Sequence, residues 1–337
     1  FERSAFLTDA WLWWVVPPGV CIALAVLGFA LIGYGIEEMA RPELRRRLAP
    51  VWQRPPAAAQ PATSGGTVRA LEVVGLSVRY DTPAGPVTAV DAVSLAVAPG
   101  EVVGLIGESG SGKSTVVMAA AGLLRAPAVV TNGSIFLAGD EIGALPPAAL
   151  RRRRGTTVAL VPQQAMAALN PVLPVGRQIA EVIRAHQPLA RAAVRARVAD
   201  LLAMVGIDPH RAADHPHQFS GGMRQRVVIA MALANEPALV IADEPTTGLD
   251  LVTAAEMLDL LASLQARLGM AMLIVSHDLP AVLRLASRVI VLQDGRVVEE
   301  GTGEQLATRA SHPHTRALVH AVPRLRPPDA ASVPERV

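Results

Sequence analysis

Cysteine and lysine are almost absent from this chain of 337 residues, and its charges nearly balance. The single cysteine, Cys21, excludes an internal disulfide and any metal site built from several cysteines. The net charge of +2 gives no general reason to expect a nucleic acid as a partner. Hydrophobic residues make up 51% of the chain, which is high for a purely soluble protein. This apolar excess is concentrated in one part of the sequence.

An apolar segment without a charged residue extends from residue 11 to residue 36. It is long enough for a helix that crosses the hydrocarbon core of a membrane, which is about 30 Å thick. Three tryptophans within residues 11–14 lie at its start, as in an interfacial aromatic belt. Four arginines within residues 41–47 follow it, which places that end in the cytoplasm by the positive-inside rule. A buried helix or a signal peptide is the alternative, but a signal peptide has its basic residues before the apolar core.

The only lysine, Lys113, lies in the octet of residues 107–114, and all the other residues in the Lys+Arg count are arginines. The octet fits the pattern G-x-x-x-x-G-K-[ST], a loop whose backbone N–H groups surround phosphates and whose hydroxyl binds Mg²⁺. A compact ammonium can reach between phosphates in a tight loop, whereas the flat guanidinium of arginine cannot make the same contact. The sequence therefore predicts nucleotide binding at this loop.

Residues 50–67 are rich in Pro, Ala, Gln, Ser and Gly and predict a flexible linker. After it, a short apolar strand at 101–106 leads into the lysine loop and a helix at 114–124 follows, which is the context that the motif requires. The other predicted elements are antiparallel strands at 71–80 and 89–97, an amphipathic helix at 191–205, buried parallel strands at 238–242 and 270–275, and a hairpin at 289–298 around Asp294 and Gly295.

Two carboxylates, Asp243 and Glu244, end one of the buried strands. An acidic residue at a strand end beside a phosphate loop can hold Mg²⁺, and a second one can take a proton from an attacking water. A Ser-Gly-Gly turn at residues 220–222 precedes a helical run, so its free N–H groups can form an anion site. Alone this turn would be a weak signal, since Ser-Gly-Gly suits many turns.

The order of these motifs resembles that of the ATPases of ABC transporters, over residues 68–321. Six segments carry the resemblance, namely residues 107–114, 161–164, 220–222, 243–244, 248–250 and 276–278. Phe219 and Met223 depart from the Leu and Gln that more usually stand at these places. The segments 220–226, 169–172 and 312–318 resemble the branch that imports dipeptides, oligopeptides or nickel, although His314 stands where that branch more often has Tyr.

The resemblance implies an α/β fold of the P-loop ABC ATPase type, here preceded by one transmembrane helix. Such a fold has a mainly parallel core sheet, an antiparallel β subdomain and a helical subdomain. The implied cofactors are ATP and Mg²⁺. The resemblance further implies a partner, because in this family a second ATPase subunit completes each ATP site.

The resemblance also assigns a role to each site residue. Glu244 would be the catalytic base and His277 would contact the γ-phosphate. Tyr80 would stack on adenine. Gln163 would bind Mg²⁺ or the lytic water, although its neighbour Gln164 could be the residue in this role. The implied metal ligands are Ser114, Gln163 and Asp243. The implied ATP contacts are Gly107, Ser109, Gly110, Gly112, Lys113, Ser114 and Thr115 in the loop, Ser220, Gly221 and Gly222 acting on the opposite subunit's ATP, and Asp250 at the interface between the two subunits.

The first 47 residues carry a second resemblance. Trp-Trp-x-x-Pro-Pro-Gly at 13–19, the apolar span and Arg-Pro-Glu-Leu-Arg at 41–45 look like the last helix and C-terminus of the permease of the same importer branch. We therefore predict the C-terminal part of a permease–ATPase fusion. Its domains are a permease helix at 1–47, a linker at 48–67, an ABC ATPase domain at 68–305 and a C-terminal extension of the peptide-importer type at 306–337.

The predicted function is the ATP-hydrolysing subunit that powers import of peptides or nickel across the bacterial inner membrane, with the ATPase domain in the cytoplasm. Predicted partners are a second ATPase subunit, identical or different, permease subunits, an extracytoplasmic substrate-binding protein and the membrane, but no nucleic acid. One alternative is a soluble ABC ATPase acting on nucleic acid or ribosomes, which usually has paired ATPase domains or long coiled-coil insertions. The other is a half-exporter, but the segments that resemble the importer branch argue against it.

Overall fold

The computed structural model describes residues 16–40, 51–52, 68–163 and 168–320. Residues 16–40 belong to one compact unit, and the globular domain that begins at residue 51 forms another. The predicted tryptophan belt, the cytoplasmic arginines, most of the linker, Gln164 and the tail after residue 320 lie outside the described residues.

The apolar N-terminal sequence forms helix α1 (Val16–Ala40). Its part Val16–Gly35 is long and apolar enough to cross a membrane, a test that a signal sequence or a core helix of a soluble protein also passes. Unlike a core helix, this stretch exposes its large side chains, and Phe29 is 77% exposed. Such a surface is unfavourable in water.

The globular domain is built around a sheet with the strand order β10-β9-β3-β8-β7-β6 within the described part of the chain. All neighbours in it are parallel except β9 and β10, which form the predicted hairpin around Asp294 and Gly295. Its strands are β3 (Val102–Ile106), β6 (Val158–Val161), β7 (Leu239–Asp243), β8 (Ala271–Ser276), β9 (Arg288–Gln293) and β10 (Arg296–Gly301).

Both faces of this sheet are covered, which explains why its strands are continuous apolar runs rather than alternating ones. Val240 and Ala242 of β7 face an apolar cluster shared with the helices, whereas Leu239 and Ile241 face a second cluster shared with the antiparallel sheet. The parallel sheet therefore lies between two layers of the domain.

The antiparallel layer has the strand order β2-β1-β4-β5. Its strands are β1 (Leu71–Thr82), β2 (Gly85–Val97), β4 (Ala128–Leu137) and β5 (Asp140–Glu141). β2 begins four residues earlier than predicted, because a tight turn pairs Thr82 directly with Gly85. Val51 and Trp52, which the sequence assigned to the flexible linker, make contacts with the globular domain. Val51 O accepts a hydrogen bond from the N–H of Val130 at 2.7 Å, and Trp52 packs against the second apolar cluster.

Helices after residue 170 cover the other face of the parallel sheet, whereas the helix that follows the lysine loop packs with the antiparallel layer through Val116 and Val117. Helix α2, which follows the lysine loop, ends four residues earlier than predicted, just before Gly122 with its φ of +63°. The helices of the domain are α2 (Lys113–Ala120), α3 (Pro147–Arg153), α4 (Val175–His186), α5 (Arg191–Met204), α6 (Gly221–Leu233), α7 (Leu251–Leu268), α8 (Leu279–Leu283), α9 (Gly303–Arg309) and α10 (Pro313–His320). Short 3₁₀ turns lie at Ile142–Ala144, Pro209–Ala213 and Pro216–Gln218.

The predicted α/β architecture, with a mainly parallel sheet, an antiparallel layer and a helical part, is confirmed. The parallel strands β3, β6, β7 and β8 all end at one edge of the sheet. The segments that follow these four strands are the lysine loop, Gln163, Glu244 and His277, so the topology brings the predicted chemistry to one edge.

Candidate active site

The loop between β3 and α2 depends on glycine at two close approaches. A Cβ on Gly107 would lie 2.2 Å from the carbonyl oxygen of Leu292, and a Cβ on Gly112 would lie 2.5 Å from that of Ala89. Gly112 also has a φ of +99°, which L side chains rarely adopt. The motif glycines therefore let the loop pack tightly against the strands behind it.

Lys113 is the first residue of α2 and is almost fully buried. Its Nζ donates to the carbonyl oxygens of Gly107 and Glu108, both at 2.7 Å. Burial lowers the pKa of Lys113, while the nearby carboxylates of Glu244, Asp243 and Glu108 act in the opposite direction. A cation and the free N–H groups of the first helical turn thus face the same loop, an arrangement that favours phosphate.

Glu244 is the centre of the site's hydrogen bonds. Gln163 Nε2 donates to its Oε2 at 2.6 Å, and Thr247 Oγ1 donates to the same oxygen at 2.9 Å. Nδ1 of His277 lies 3.1 Å from Oε1. The backbone of Glu244 has a φ of +48°, and its N–H donates to Val275 O at 2.8 Å. A non-glycine residue at such a φ costs about 1–3 kcal/mol, and residues with this kind of strain cluster at active sites and switch regions.

The two adjacent carboxylates are tuned in opposite directions. Burial, reinforced by the charge of Glu244, raises the pKa of Asp243. Burial would also raise the pKa of Glu244, but hydrogen bonds from Thr247 and His277 together with the charge of Lys113 outweigh it and hold the pKa below its ordinary value. Glu244 is therefore ionised at neutral pH, as a general base must be.

The residues predicted to hold Mg²⁺ supply the type of ligand that this ion prefers. Asp243 offers a half-buried carboxylate whose raised pKa a cation would lower, and Ser114 offers an exposed hydroxyl in the first turn of α2. The amide of Gln163 spends its nitrogen on Glu244, which leaves its oxygen for a cation. Mg²⁺ is usually held by one or two carboxylates plus substrate phosphates rather than by a protein cage. Ser114, Asp243 and Gln163 therefore fit the ion.

Two aromatic rings border the loop. The Tyr80 hydroxyl lies 3.2 Å from Thr115 Oγ1, which places this ring beside the start of α2. His314 of α10 lies on another side, with its Nδ1 3.7 Å from Glu108 Oε1. Glu299 of β10 holds the segment just before His314, because its carboxylate accepts hydrogen bonds from Ser311 and from the N–H of His312.

Comparisons with known proteins identify the family of this chain. A family model described as "ABC transporter" matches residues 90–247. The dipeptide transport ATP-binding protein DppD of Haemophilus influenzae is 43% identical over 255 residues, which cover 75% of this chain and 77% of DppD. The chain belongs to the ABC transporter ATPases.

Other ABC proteins extend the comparison. The peptidoglycan transport ATP-binding protein YejF of Agrobacterium fabrum is 46% identical over 261 residues, or 77% of this chain, but the match spans only 48% of YejF. The chain thus spans about half the length of this relative. Among solved structures, the ATP-binding cassette MJ0796, a dimer bound to ADP and Pi, has a TM-score of 0.63 at 29% identity and covers 69% of this chain and 98% of its own.

The Ser-Gly-Gly turn at residues 220–222, the signature segment of this ABC ATPase, lies at the start of α6. Ser220 is the N-cap, and its Oγ accepts a hydrogen bond from the N–H of Met223 at 3.3 Å. Gly222 packs on Thr253, where a Cβ would meet the methyl group at 2.4 Å. Asp250 caps α7 by accepting from the N–H groups of Val252 and Thr253, at 3.1 and 3.0 Å.

The structure brings some of the predicted site residues together and leaves others apart. The residues Gln163, Glu244 and His277 meet through side-chain hydrogen bonds. In the described part of the chain no hydrogen bond joins the segment 220–222 to the phosphate loop. Sequence reasoning missed Thr247, although a hydroxyl three residues after a carboxylate is a recognisable local pattern. It also missed the contact between Glu108 and His314, which no local pattern indicates.

Proposed function

We propose that the chain is the ATP-hydrolysing subunit of a membrane importer for peptides. One observation carries the proposal, namely the carboxylate of Glu244, which three side chains hold at the sheet edge that also carries the phosphate loop. The relatives named as transport ATP-binding proteins for dipeptides and peptidoglycan supply the substrate class.

The proposed reaction is hydrolysis of the γ-phosphoryl bond of ATP. Lys113 and the free N–H groups at the start of α2 bind the β- and γ-phosphates, and Tyr80 stacks on the adenine. Glu244 takes a proton from the attacking water as the water oxygen bonds to the γ-phosphorus and the bond to ADP breaks. His277 and Gln163 keep the carboxylate oriented. Mg²⁺, held by Ser114, Asp243 and Gln163, would neutralise the phosphate charge that develops.

A second ATPase subunit completes each proposed site. Within one chain, Gly221 and Gly222 pack against the start of α7 rather than against the phosphate loop. As the resemblance to the family implies, Ser220, Gly221 and Gly222 serve the ATP of the opposite subunit, and Asp250 lies at the interface between the two. Closure on ATP and reopening after hydrolysis transmit a population shift to the permease. A substrate-binding protein outside the membrane delivers the peptide.

Helix α1 is the proposed membrane anchor, as the last helix of a permease domain at 1–47 followed by a linker from residue 48. The ATPase domain at 68–305 and the extension at 306–337 lie on the cytoplasmic side. The exposed apolar surface of α1 supports this arrangement.

Removal of residues 1–47 is expected to move the protein from the membrane fraction to the soluble fraction with ADP binding intact, because the apolar helix is gone and the domain from residue 51 is a compact unit. Fractionation of cell lysates, followed by an ADP-binding assay, measures both. A truncated protein that still sediments with membranes would place the anchor elsewhere.

Peptide uptake tests the cargo. Cells that lack the gene are expected to lose uptake of labelled dipeptides or oligopeptides and to regain it with the wild-type gene but not with Glu244→Gln. Labelled nickel serves as the comparison. Loss of nickel uptake with unchanged peptide uptake would contradict the proposed substrate class.

A further inference from the structure

Phe219 and Met223, which depart from the residues usual in this family on either side of the signature segment 220–222, contact the same side chain. Arg211, in the 3₁₀ turn Pro209–Ala213, has its guanidinium carbon 4.2 Å from the centroid of the Phe219 ring. Its Nη1 lies 3.6 Å from the sulfur of Met223. Phe219 and Met223 stand directly before and directly after the segment 220–222. One arginine therefore contacts the signature segment at both of its ends.

Arg211 is itself fixed by two further hydrogen bonds. Its Nε donates to Asp214 Oδ2 at 2.8 Å, and its Nη2 donates to the carbonyl oxygen of Gln218 at 2.9 Å. The carbonyl oxygen of Asp214 in turn accepts from the N–H of Val175 at the start of α4. All three guanidinium nitrogens are used, and the flat face covers Phe219, which is 3% exposed. A lysine has one nitrogen and no flat face, so it cannot make this set of contacts.

The opposite side of the signature turn is supported by α7. Gly222 packs on Thr253, and Leu249 lies beside Gly221. The turn is thus held between the start of α7 and Arg211. Ser220 Oγ already bonds to the N–H of Met223, so a movement of Met223 would also move the Ser220 hydroxyl.

We infer that Arg211 is a positioning residue for the signature turn, which it aims at the ATP of the opposite subunit. The consequence for catalysis rests on the proposed function, but the local effect on the turn does not. Arg211 should therefore control the order of residues 219–223 in the nucleotide-free chain. It should also control turnover, because the turn completes the second subunit's site. Binding of ADP to the chain's own loop should be independent of it.

The test compares Arg211→Gln and Arg211→Lys with the wild type, as full chains in detergent. Arg197→Gln is the matched control, because Arg197 forms an ion pair with Glu236 at 2.7 Å in the same helical part without touching the signature. We expect hydrogen exchange of the amides of residues 220–223 to become roughly tenfold faster in Arg211→Gln, as the loss of one charge-assisted hydrogen bond or more predicts. The kcat for ATP should fall by a similar factor, while the Kd for ADP stays within about twofold.

Arg211→Lys keeps the charge and should fall between the wild type and Arg211→Gln in both measurements. If Arg211→Gln does not fold, Arg211→Lys and Phe219→Leu decide the matter, the second because it replaces the ring under Arg211 by an aliphatic side chain in the same apolar cluster. Unchanged exchange at 220–223 would overturn the inference, and faster exchange with unchanged kcat would reduce Arg211 to a structural role and also overturn it. A wild-type protein without turnover, even with any companion ATPase of the same transporter supplied, would instead contradict the proposed function, and the exchange rates would still show whether Arg211 holds the turn.

Discussion

Glu244→Gln is expected to lower the rate of ATP hydrolysis by about 10²–10⁴-fold, the usual worth of a general base. The amide has the same size as the carboxylate but cannot accept a proton from water. The amide oxygen can take the place of Oε2 and still accept from Thr247 and Gln163, while the amide nitrogen in the place of Oε1 can donate to a neutral His277 ring. The backbone at φ +48° and the neighbouring loop should therefore remain in place. Affinity for ATP should therefore stay close to that of the wild type.

Phosphate release under saturating Mg-ATP measures this effect. Glu256→Gln is the matched control, because Glu256 is an exposed glutamate of α7 that pairs with Arg226 at 3.1 Å, away from the phosphate loop. The wild type should also lose turnover in acid, because protonation of Glu244 removes the base. The lowered pKa of Glu244 places this loss at a lower pH than an ordinary glutamate would give. Undiminished hydrolysis by Glu244→Gln would mean that another group accepts the proton.

Lys113→Ala is expected to weaken nucleotide binding by roughly 10- to 100-fold, which is the worth of hydrogen bonds from a charged donor. The reason lies in the loop itself. The Nζ of Lys113 is the basic group that points into it, held 2.7 Å from the carbonyl oxygens of Gly107 and Glu108. Without this cation the β- and γ-phosphates keep the backbone N–H groups and Mg²⁺ but lose the charged donor that the loop itself supplies.

Calorimetric titration with ATP and ADP checks the prediction, with the melting temperature as a measure of folding. Lys113→Arg is the informative companion variant. It keeps the charge, yet its broader guanidinium does not fit a side chain position that is 6% exposed, so affinity should stay low. Affinity equal to that of the wild type in Lys113→Ala would refute the assignment of the loop.

The sequence predicted well those parts of the molecule that depend on local chemistry. A glycine-rich loop between an apolar strand and a helix can fold in few ways, so Gly107, Gly112 and Lys113 lie where the motif places them. The buried strands followed from continuous apolar runs, since both sheet faces are covered. The ends of elements were less predictable, because a single residue such as Gly122 decides where α2 stops.

Contacts between distant parts of the chain could not be predicted in the same way. Gln163 and Glu244 are 81 positions apart, and only the parallel pairing of β6 with β7 brings them to one edge. The convergence of Phe219 and Met223 on Arg211 depends on where a 3₁₀ turn packs, which no periodicity indicates. Trp52 was assigned to a flexible linker on composition, but a large apolar ring finds enough surface near β4 to be held there.

The most direct test of the account is the oligomeric state of Glu244→Gln with bound Mg-ATP. The central claim is that ATP is held between Lys113 of one ATPase and the Ser220 segment of another. Light scattering on the detergent-solubilised protein should then show two ATPase subunits per particle with Mg-ATP, and one with ADP or when Lys113→Ala is added. Particles that bind Mg-ATP and still contain a single ATPase subunit, with any companion ATPase from the same transporter also supplied, would contradict the claim.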